Sequence, residues 1–464
     1  MLLTSFRISI LCKLRPELRE KVKKKRNEKK KKNSAKFKFK IPKPTEPLIY
    51  ITMFYRTIRC FTTGTRLLAK AAMSTSEKSR KILGRASNNL SVGLVGLANV
   101  GKSTFFQALT KSKLGNPANY PFATIEPEKS MVLVPLNKLV HYAKIYGSQK
   151  MVPTNLTIWD IAGLVRNASS GAGLGNKFLN DIRQVDGILQ VVRGFVDDEI
   201  VHIENNKVDP VRDLVIVNDE LILKDLEIIE LEIEKVKKLQ KKPGINANQY
   251  DIHLATLDKL SALLYDGIKA VNGEWTDEEI EVINGWNLLT AKPTVYLLNV
   301  SKEDYGKQEN QFYDQVQEWI CTNSPNDKLI MFSAEHETVL NELEEEELKE
   351  YVLDIGRDSV IPKVVEEMRL VLSLISFFTC GDIEARQWTI RLGSTAPEAA
   401  GLIHTDLQKT FINSIVYKWD DLKEVSEFDE NKLKSQGKQH KCGKKYEVEE
   451  GDVLIIKAGS GKAR

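Results

Sequence analysis

The sequence predicts an α/β fold built around a P-loop, with an antiparallel helical arm inserted into the sheet domain and a small β-rich module towards the C-terminus. Three observations carry this. A strand, glycine loop and helix start follow one another over residues 91–110, a later apolar strand runs into D-x-x-G, and a third apolar run ends in asparagine.

The first element is SVGLVGLANVGKSTFFQALT, in which Val92-Gly-Leu-Val95 reads as a buried strand and Thr104 to Leu109 as a helix. Between them lies Gly96-Leu-Ala-Asn99-Val100-Gly101-Lys102-Ser103. Gly96 and Gly101 permit backbone conformations that a Cβ would obstruct, so successive N–H groups can line one concavity around a β-phosphate. The following helix adds its positive N-terminal end. Lys102 is placed to reach the β- and γ-phosphates and the Ser103 hydroxyl to ligate Mg²⁺.

The second element is Thr157-Ile-Trp-Asp160-Ile-Ala-Gly163, which would set Asp160 near the metal and the Gly163 N–H near a γ-phosphate. Between the two motifs, Tyr120-Pro-Phe-Ala-Thr124 offers a loop hydroxyl suited to a switch that closes on the metal. A lone D-x-x-G or loop threonine means little; their order and spacing after the glycine loop make them specific. Leu164 follows Gly163, where related switch enzymes carry a glutamine that orients attacking water. Leucine cannot orient water, so either another group does so or the site turns over slowly. His202 has two readings, a surface histidine beside an acidic turn or the missing polar group.

The third element, Pro293 to Asn299, reads as a strand that delivers Asn299 to its carboxyl end, where open α/β sheets bind ligands. Guanine-specific switches continue as N-K-x-D, whose carboxylate accepts from guanine N1–H and the 2-amino group. Here the run is Asn299-Val300-Ser301-Lys302, and an ammonium has no acceptor capacity. Adenine could still be met by Asn299 and backbone groups near Val300. Ile330-Met-Phe-Ser333-Ala334 reads as one more strand leading to a base-side loop.

Beyond these motifs, Ile222, Leu226, Ile229, Ile233 and Val236 alternate at spacings of four and three, a heptad seam on a charged helix that Lys241-Lys-Pro-Gly244 ends. Leu254, Leu257, Leu260 and Leu264 mark a second helix from about Gln249 that can return against the first. The resulting antiparallel hairpin is either an arm that touches a partner or a self-satisfied insertion. From about Phe377 the pattern changes to Glu384–Ile390 as strand, Thr395 to about His404 as helix, and Tyr446–Ile456 as strand, turn and strand, a β-grasp-like succession. His404 receives no catalytic role.

Composition agrees with about three domains: 464 residues, 42% hydrophobic, can bury a sizeable core. No run of about eighteen apolar residues is present to suggest a membrane span. Five scattered cysteines indicate neither a disulfide framework nor a zinc site. The net charge of +5 conceals an asymmetry, since residues 1–52 hold 17 Lys/Arg against 4 Asp/Glu. The tract 21–40 is basic and of low complexity; it is expected to be disordered and either simply solvated or a nonspecific binder of RNA or anionic membrane. Residues 47–76 lack acidic side chains, and FYRTIRCFTTGTRLLAKA after Met53 resembles a cleavable mitochondrial transit peptide. The expectation is a start at Met53 and a matrix location, against a cytoplasmic or nuclear protein with a basic tail.

Taken together, G-L-x-N-V-G-K-S-T-F-F, N-Y-P-F-A-T-I-E-P, D-I-A-G-L-V-x-x-A-S-x-G-x-G-L-G-N-K-F-L and A-A-G-L-I-H-T-D resemble the Obg-like ATPases of the YchF type, from about Leu90 onward. The resemblance implies an Mg²⁺-dependent ATP hydrolase of the translation-factor-related P-loop class, with a helical insertion at about 210–290 inside an OBG-type G domain (89–376) and a TGS domain (377–460). It implies phosphate-loop and magnesium roles for Asn99 to Thr104, a switch role for Thr124, and a hydrolysis role for His202. It also implies association with the ribosome, RNA or translation-associated proteins, placed on the TGS domain and the helical arm; the chain itself is expected to be a monomer. Residues 1–52 and 53–88 fall outside it, as basic extension and as transit peptide with linker. Three departures stand out. Ala98 replaces the family's usual proline, one extra residue precedes Thr124, and Lys302 replaces the glutamate of N-x-x-E, with Glu303-Asp304 following. The third leaves GTP open as an alternative substrate.

Overall fold

The structure is a computed structural model that describes residues 82–85, 87–111, 129–161, 174–197, 208–240 and 247–459. Seven strands lead the first part of the chain: β1 Ser91–Val95, β2 Lys129–Leu133, β3 Lys150–Val152, β4 Asn155–Asp160, β5 Gly187–Arg193, β6 Thr294–Asn299 and β7 Lys328–Phe332. The helices among and after them are α1 Lys102–Lys111, α2 Asn137–Tyr146, α3 Leu174–Gln184, α4 Pro210–Gln240, α5 Ala247–Tyr265, α6 Asp277–Asn284, α7 Lys302–Lys307, α8 Tyr313–Asn323, α9 Ala334–Glu342, α10 Glu345–Ile355 and α11 Ile361–Val371. The described residues form two compact units, one within 84–214, 292–316 and 327–459, the other within 82–83, 215–291 and 317–326.

In the larger unit the first sheet has the order β2-β4-β1-β5-β6-β7. Only β2 runs antiparallel, along β4. Every position of β5 and of β6 is buried, as expected of central parallel strands covered on both faces. Their apolar runs therefore read as continuous rather than alternating. Leu94 pairs with Asp160, Val95 with Gln190 and Arg193 with Asn299, so the ends of β1, β4, β5 and β6 open on the same sheet edge. The chain thus has an α/β P-loop fold, with the glycine loop at that edge.

A second sheet is made by β8 Leu374–Cys380, β9 Glu384–Arg391, β10 Phe411–Tyr417, β11 His440–Cys442 and β12 Val453–Ala458. Its order is β11-β10-β12-β8-β9-β3, with β8 and β12 parallel at its centre and antiparallel pairs beside them. A helix, α12 Ala396–Ile403, packs Ala399 against one face, and Glu398 accepts from the Thr395 N–H at 2.6 Å to seal its first turn. This is the β-grasp-like succession. Two features differ from the sequence expectation. Strand β3 adds to the sheet beside β9, and α2 sinks Leu139, Tyr142 and Ile145 into the same core as Phe378, Tyr417 and Val453, so this layer recruits chain from before residue 377. Residues 446–451 form no extended strand: Glu447 makes a single antiparallel bridge to Thr395, through Val448 N–H to the Ser394 carbonyl and Ala396 N–H to the Tyr446 carbonyl, and the pairing goes no further.

The smaller unit is helical. Ile222, Leu226, Ile229 and Val236 of α4 share one buried cluster with Leu257, Leu260 and Leu264 of α5, the seam the spacing predicts. That seam is not closed by two helices alone. Ala270, Ile283 of α6, Leu288 and Ala291 complete the cluster. Asp225 is buried on α4 and accepts from the Leu289 and Thr290 N–H groups at 3.0 and 2.7 Å and from Thr290 Oγ1 at 2.6 Å, which locks the returning chain. Among the described residues no helix is long and apolar enough to cross a membrane, and Cys321, Cys380 and Cys442 are free thiols.

Candidate functional site

The site is assembled at the carboxyl edge of the first sheet. Buried Val92, Leu94 and Val95 anchor β1, and the chain then turns through Gly96–Gly101 into α1. A Cβ at Gly96 would lie 2.6 Å from the Val191 carbonyl oxygen, and one at Gly101 would collide with the Asn299 amide. Gly101 also sits at φ +91°, which side-chain-bearing residues rarely adopt. Asn99 takes φ +61°, a conformation asparagine tolerates better than most residues. The loop is thus shaped by steric demand, and its glycines serve more than a loose turn.

Within the loop, Lys102 is buried to 8% exposure, while Ser103 and Thr104 in the next two positions are exposed. Burial pushes the Lys102 ammonium below its ordinary pKa, and the charge of Asp160 opposes that shift. Asp160 ends β4, whose register sets it beside Leu94 of β1. An exposed hydroxyl at the start of α1 and a carboxylate on the neighbouring strand are hard oxygen donors, the set Mg²⁺ takes when substrate phosphates complete its shell.

Asn299 is the joint of the site. Its Nδ2 donates to the Val100 carbonyl at 3.0 Å and its Oδ1 accepts from the Ala334 N–H at 3.0 Å, so one buried amide ties the glycine loop to the loop after β7. Both bonds are internal to the protein. The sequence predicts a base contact for Asn299; the structure gives it a positioning task as well, with one Nδ2 hydrogen left to offer. The Val300 N–H is committed to the Phe332 carbonyl at 2.8 Å, which removes one of the backbone groups expected to meet adenine. Ser333 is 1% exposed and its hydroxyl caps α9 by accepting from His336 N–H at 3.3 Å. Ala334 lies beside it, 3% exposed. Below the loops, Phe105 and Phe332 rings meet at 4.6 Å, and Asn341 of α9 donates to the Ala108 carbonyl of α1 at 2.9 Å.

Two charged residues beside this joint have roles that the sequence pattern does not reveal. Lys302 does not stand alone: its Nζ is 3.0 Å from Glu335 Oε1 in the first turn of α9, and the hydrogen bond to Glu335 raises the Lys302 pKa. The available signal is a complementary charge directly after Ser333-Ala334. Arg193, 1% exposed at the end of β5, donates to the Phe195 and Asp197 carbonyls at 3.2 and 3.0 Å and lies over the Phe195 ring, fixing the chain that leaves β5. Burial lowers its pKa, and Asp197 and Asp213 oppose that. The structure therefore brings together Gly96, Asn99, Val100, Gly101, Lys102, Ser103, Thr104, Asp160, Asn299, Val300, Ser333 and Ala334 at one edge. Thr124, Gly163, Leu164 and His202 lie outside the described residues, as do Lys241–Gly244 and the N-terminal extension and transit-like segment through residue 81.

Comparison with known proteins finds matches over most of the chain. A family model described as a 50S ribosome-binding GTPase matches residues 91–243, and the YchF-GTPase C-terminal model, described as a protein of unknown function, matches 374–459. The Obg-like ATPase homolog of Saccharomyces cerevisiae is 51% identical over 397 residues, covering 82% of this chain and 98% of that protein. Obg-like ATPase 1 of the same yeast is 47% identical over 389 residues, covering 83% and 98%. The solved structure of the Schizosaccharomyces pombe YchF GTPase aligns with a TM-score of 0.75 at 43% identity, over 81% of this chain and 100% of that one.

Proposed function

The chain belongs to the YchF or Obg-like ATPase family of P-loop nucleotide-binding proteins, and from that premise we propose that it is an Mg²⁺-dependent ATP hydrolase that works as a nucleotide switch on the ribosome. The observation that carries the adenine choice is Lys302: the position from which a guanine-reading carboxylate would act holds an ammonium. The name of the budding yeast relatives, Obg-like ATPase, agrees with that choice.

In this reading the backbone N–H groups of Gly96–Gly101 bind the phosphates, and Asn299 keeps that cradle in register with the base-side loop. Lys102 acts on charge that develops during phosphoryl transfer, and its burial strengthens that interaction relative to water. Ser103 and Asp160, with Thr124, would hold Mg²⁺, which when bound neutralises phosphate charge. His202 is assigned the water-side role that Leu164 cannot fill. The C-terminal β-grasp layer and the helical unit are assigned to contacts with ribosomal RNA or translation-associated proteins, and the segment 53–88 to mitochondrial import.

Steady-state phosphate release from Mg·ATP and Mg·GTP, with and without ribosomes, tests the reading. ATP turnover that needs Mg²⁺ and responds to ribosomes is expected; absence of turnover for both nucleotides contradicts it. A second reading is a GTP-accepting, ribosome-binding switch whose slow hydrolysis is secondary to binding. Leu164 favours it, as does the name GTPase borne by the family that matches residues 91–243 and by the Schizosaccharomyces pombe protein. A copy tagged at its C-terminus and imaged in cells tests the location, with mitochondrial signal expected and diffuse cytoplasmic signal contradicting it.

A further inference from the structure

The Lys302–Glu335 pair joins the start of α7, after β6, to the first turn of α9, after β7, beside the bond from Asn299 to the Ala334 N–H. Lys302 opens α7 three residues after Asn299, and Glu335 follows Ala334, whose N–H Asn299 holds at 3.0 Å. The two charged groups are 3.0 Å apart and their side chains remain 39% and 56% exposed. An ion pair this open to water contributes little to stability, so holding the fold together is a weak reason for it to exist. Its place says more. Gly101 is packed against Asn299 so closely that a Cβ there would collide with the amide and would lie 3.8 Å from Ala334 Cβ. Asn299 thus touches both the glycine loop and Ala334, and a nucleotide whose phosphates occupied that loop would set its base at the ends of β6 and β7, where this pair lies.

Resting on the ATP reading above, we propose that Glu335 is the base-specificity residue of this chain: its carboxylate, held by Lys302, accepts from the 6-amino group of adenine. A carboxylate offers about four lone-pair sites, so one taken by the ammonium leaves others for a ligand. Lys302 keeps donors to spare for an acceptor on the same purine edge, which adenine carries next to its amino group. The acceptor that N-x-x-E places at position 302 is thus supplied here from position 335. Guanine also sets an acceptor beside a donor, yet its 2-amino group meets no carboxylate at 302.

The test is equilibrium binding of four probes to the full-length protein with Mg²⁺: a non-hydrolysable ATP analogue, purine riboside triphosphate (which lacks only the 6-amino group), a GTP analogue and inorganic tripolyphosphate. The wild-type protein is expected to favour ATP over purine riboside triphosphate by about tenfold, the order of one satisfied hydrogen bond to a charged group. In Glu335→Ala that advantage vanishes while tripolyphosphate binds as before. In Lys302→Ala the advantage shrinks, since the carboxylate is no longer held. Retention of the full ATP advantage in Glu335→Ala, or an equal loss for both purines, overturns the proposal. So does a Glu335→Ala variant that loses GTP and not ATP. Wild-type protein that binds tripolyphosphate and prefers GTP would instead overturn the ATP reading on which the proposal rests, and the two failures are thereby told apart.

Discussion

The two sheets of the larger unit use polar side chains in opposite ways. At the edge of the first sheet Ser103 and Thr104 are exposed and the Lys302–Glu335 pair is open, while Asn299, Ser333 and Arg193 bond to backbone groups around them. In the second sheet the polar groups bond to one another. Tyr446 donates to Asp452 at 2.6 Å, and Lys418 donates to Tyr446 at 2.6 Å and pairs with Glu449 at 2.8 Å. Arg369 and Gln387 both donate to Ser376 Oγ, at 2.8 and 2.9 Å, and Lys138 of α2 reaches Glu450 at 2.8 Å. The polar side chains named in the second layer bond to one another, whereas the first layer leaves Ser103, Thr104 and the Lys302–Glu335 pair open to solvent. Chemistry is therefore expected from the first sheet, and rigid presentation of a surface from the second.

Substitutions can break this contrast, and the largest effect belongs to Lys102→Ala. Removing a buried cation aimed at the phosphates should lower turnover by about 10²–10³-fold, as for other preorganised charge-stabilising groups, with the melting temperature held or raised. Phosphate release and a thermal melt on the same preparation check both halves. Asn299→Ala comes next. It strands the Val100 carbonyl and the Ala334 N–H, so stability should fall by about 2–4 kcal/mol and affinity for ATP and GTP should fall together. Denaturant titration with parallel binding would show it, and a change confined to base preference at full stability would make Asn299 a reader and not a joint.

Smaller effects are expected in the second sheet. Tyr446→Phe removes the hydroxyl between Lys418 and Asp452 and should cost about 1–2 kcal/mol while leaving nucleotide turnover unchanged. Loss of turnover in that variant would mean the second layer reaches the chemistry. The smallest effect is one of pH. Burial raises the Asp452 pKa above its ordinary value, against the hydrogen bonds from Tyr446 and Glu449 and the charge of Lys418. A carboxyl whose folded pKa is raised binds its proton more tightly in the fold, so it contributes stability below the unfolded pKa that is lost as pH rises through the folded value. Acidification from neutral pH should therefore gain the wild-type protein stability that Asp452→Asn does not gain, read as a converging or crossing pair of stability curves.

Much of the first sheet is legible in the sequence because local steric and periodic constraints mark it. Gly96 and Gly101 are demanded by contacts with Val191 and Asn299, and β5 and β6 are apolar throughout because they are buried on both sides. The heptad positions of α4 and the leucines of α5 are legible for the same reason. What local pattern does not carry is partnership across long separations. The addition of β3 to β9, the bond from Tyr142 to the Gly451 carbonyl at 2.6 Å, and the pairing of Lys302 with Glu335 each depend on where the chain returns. Residues 446–451 are legible only in part for a related reason: alternating Glu and Val resemble a strand, and the pairing that forms is one bridge from Glu447 to Thr395.

The central claim is that this edge binds a purine triphosphate through the glycine loop and prefers adenine. It is tested most directly by equilibrium binding of Mg²⁺ complexes of ATP and GTP analogues to the full-length protein, beside Lys102→Ala. Tighter binding of the ATP analogue and a marked loss of both nucleotides in the variant are predicted. Equal or tighter binding of the GTP analogue, or binding indifferent to Lys102, would contradict the claim.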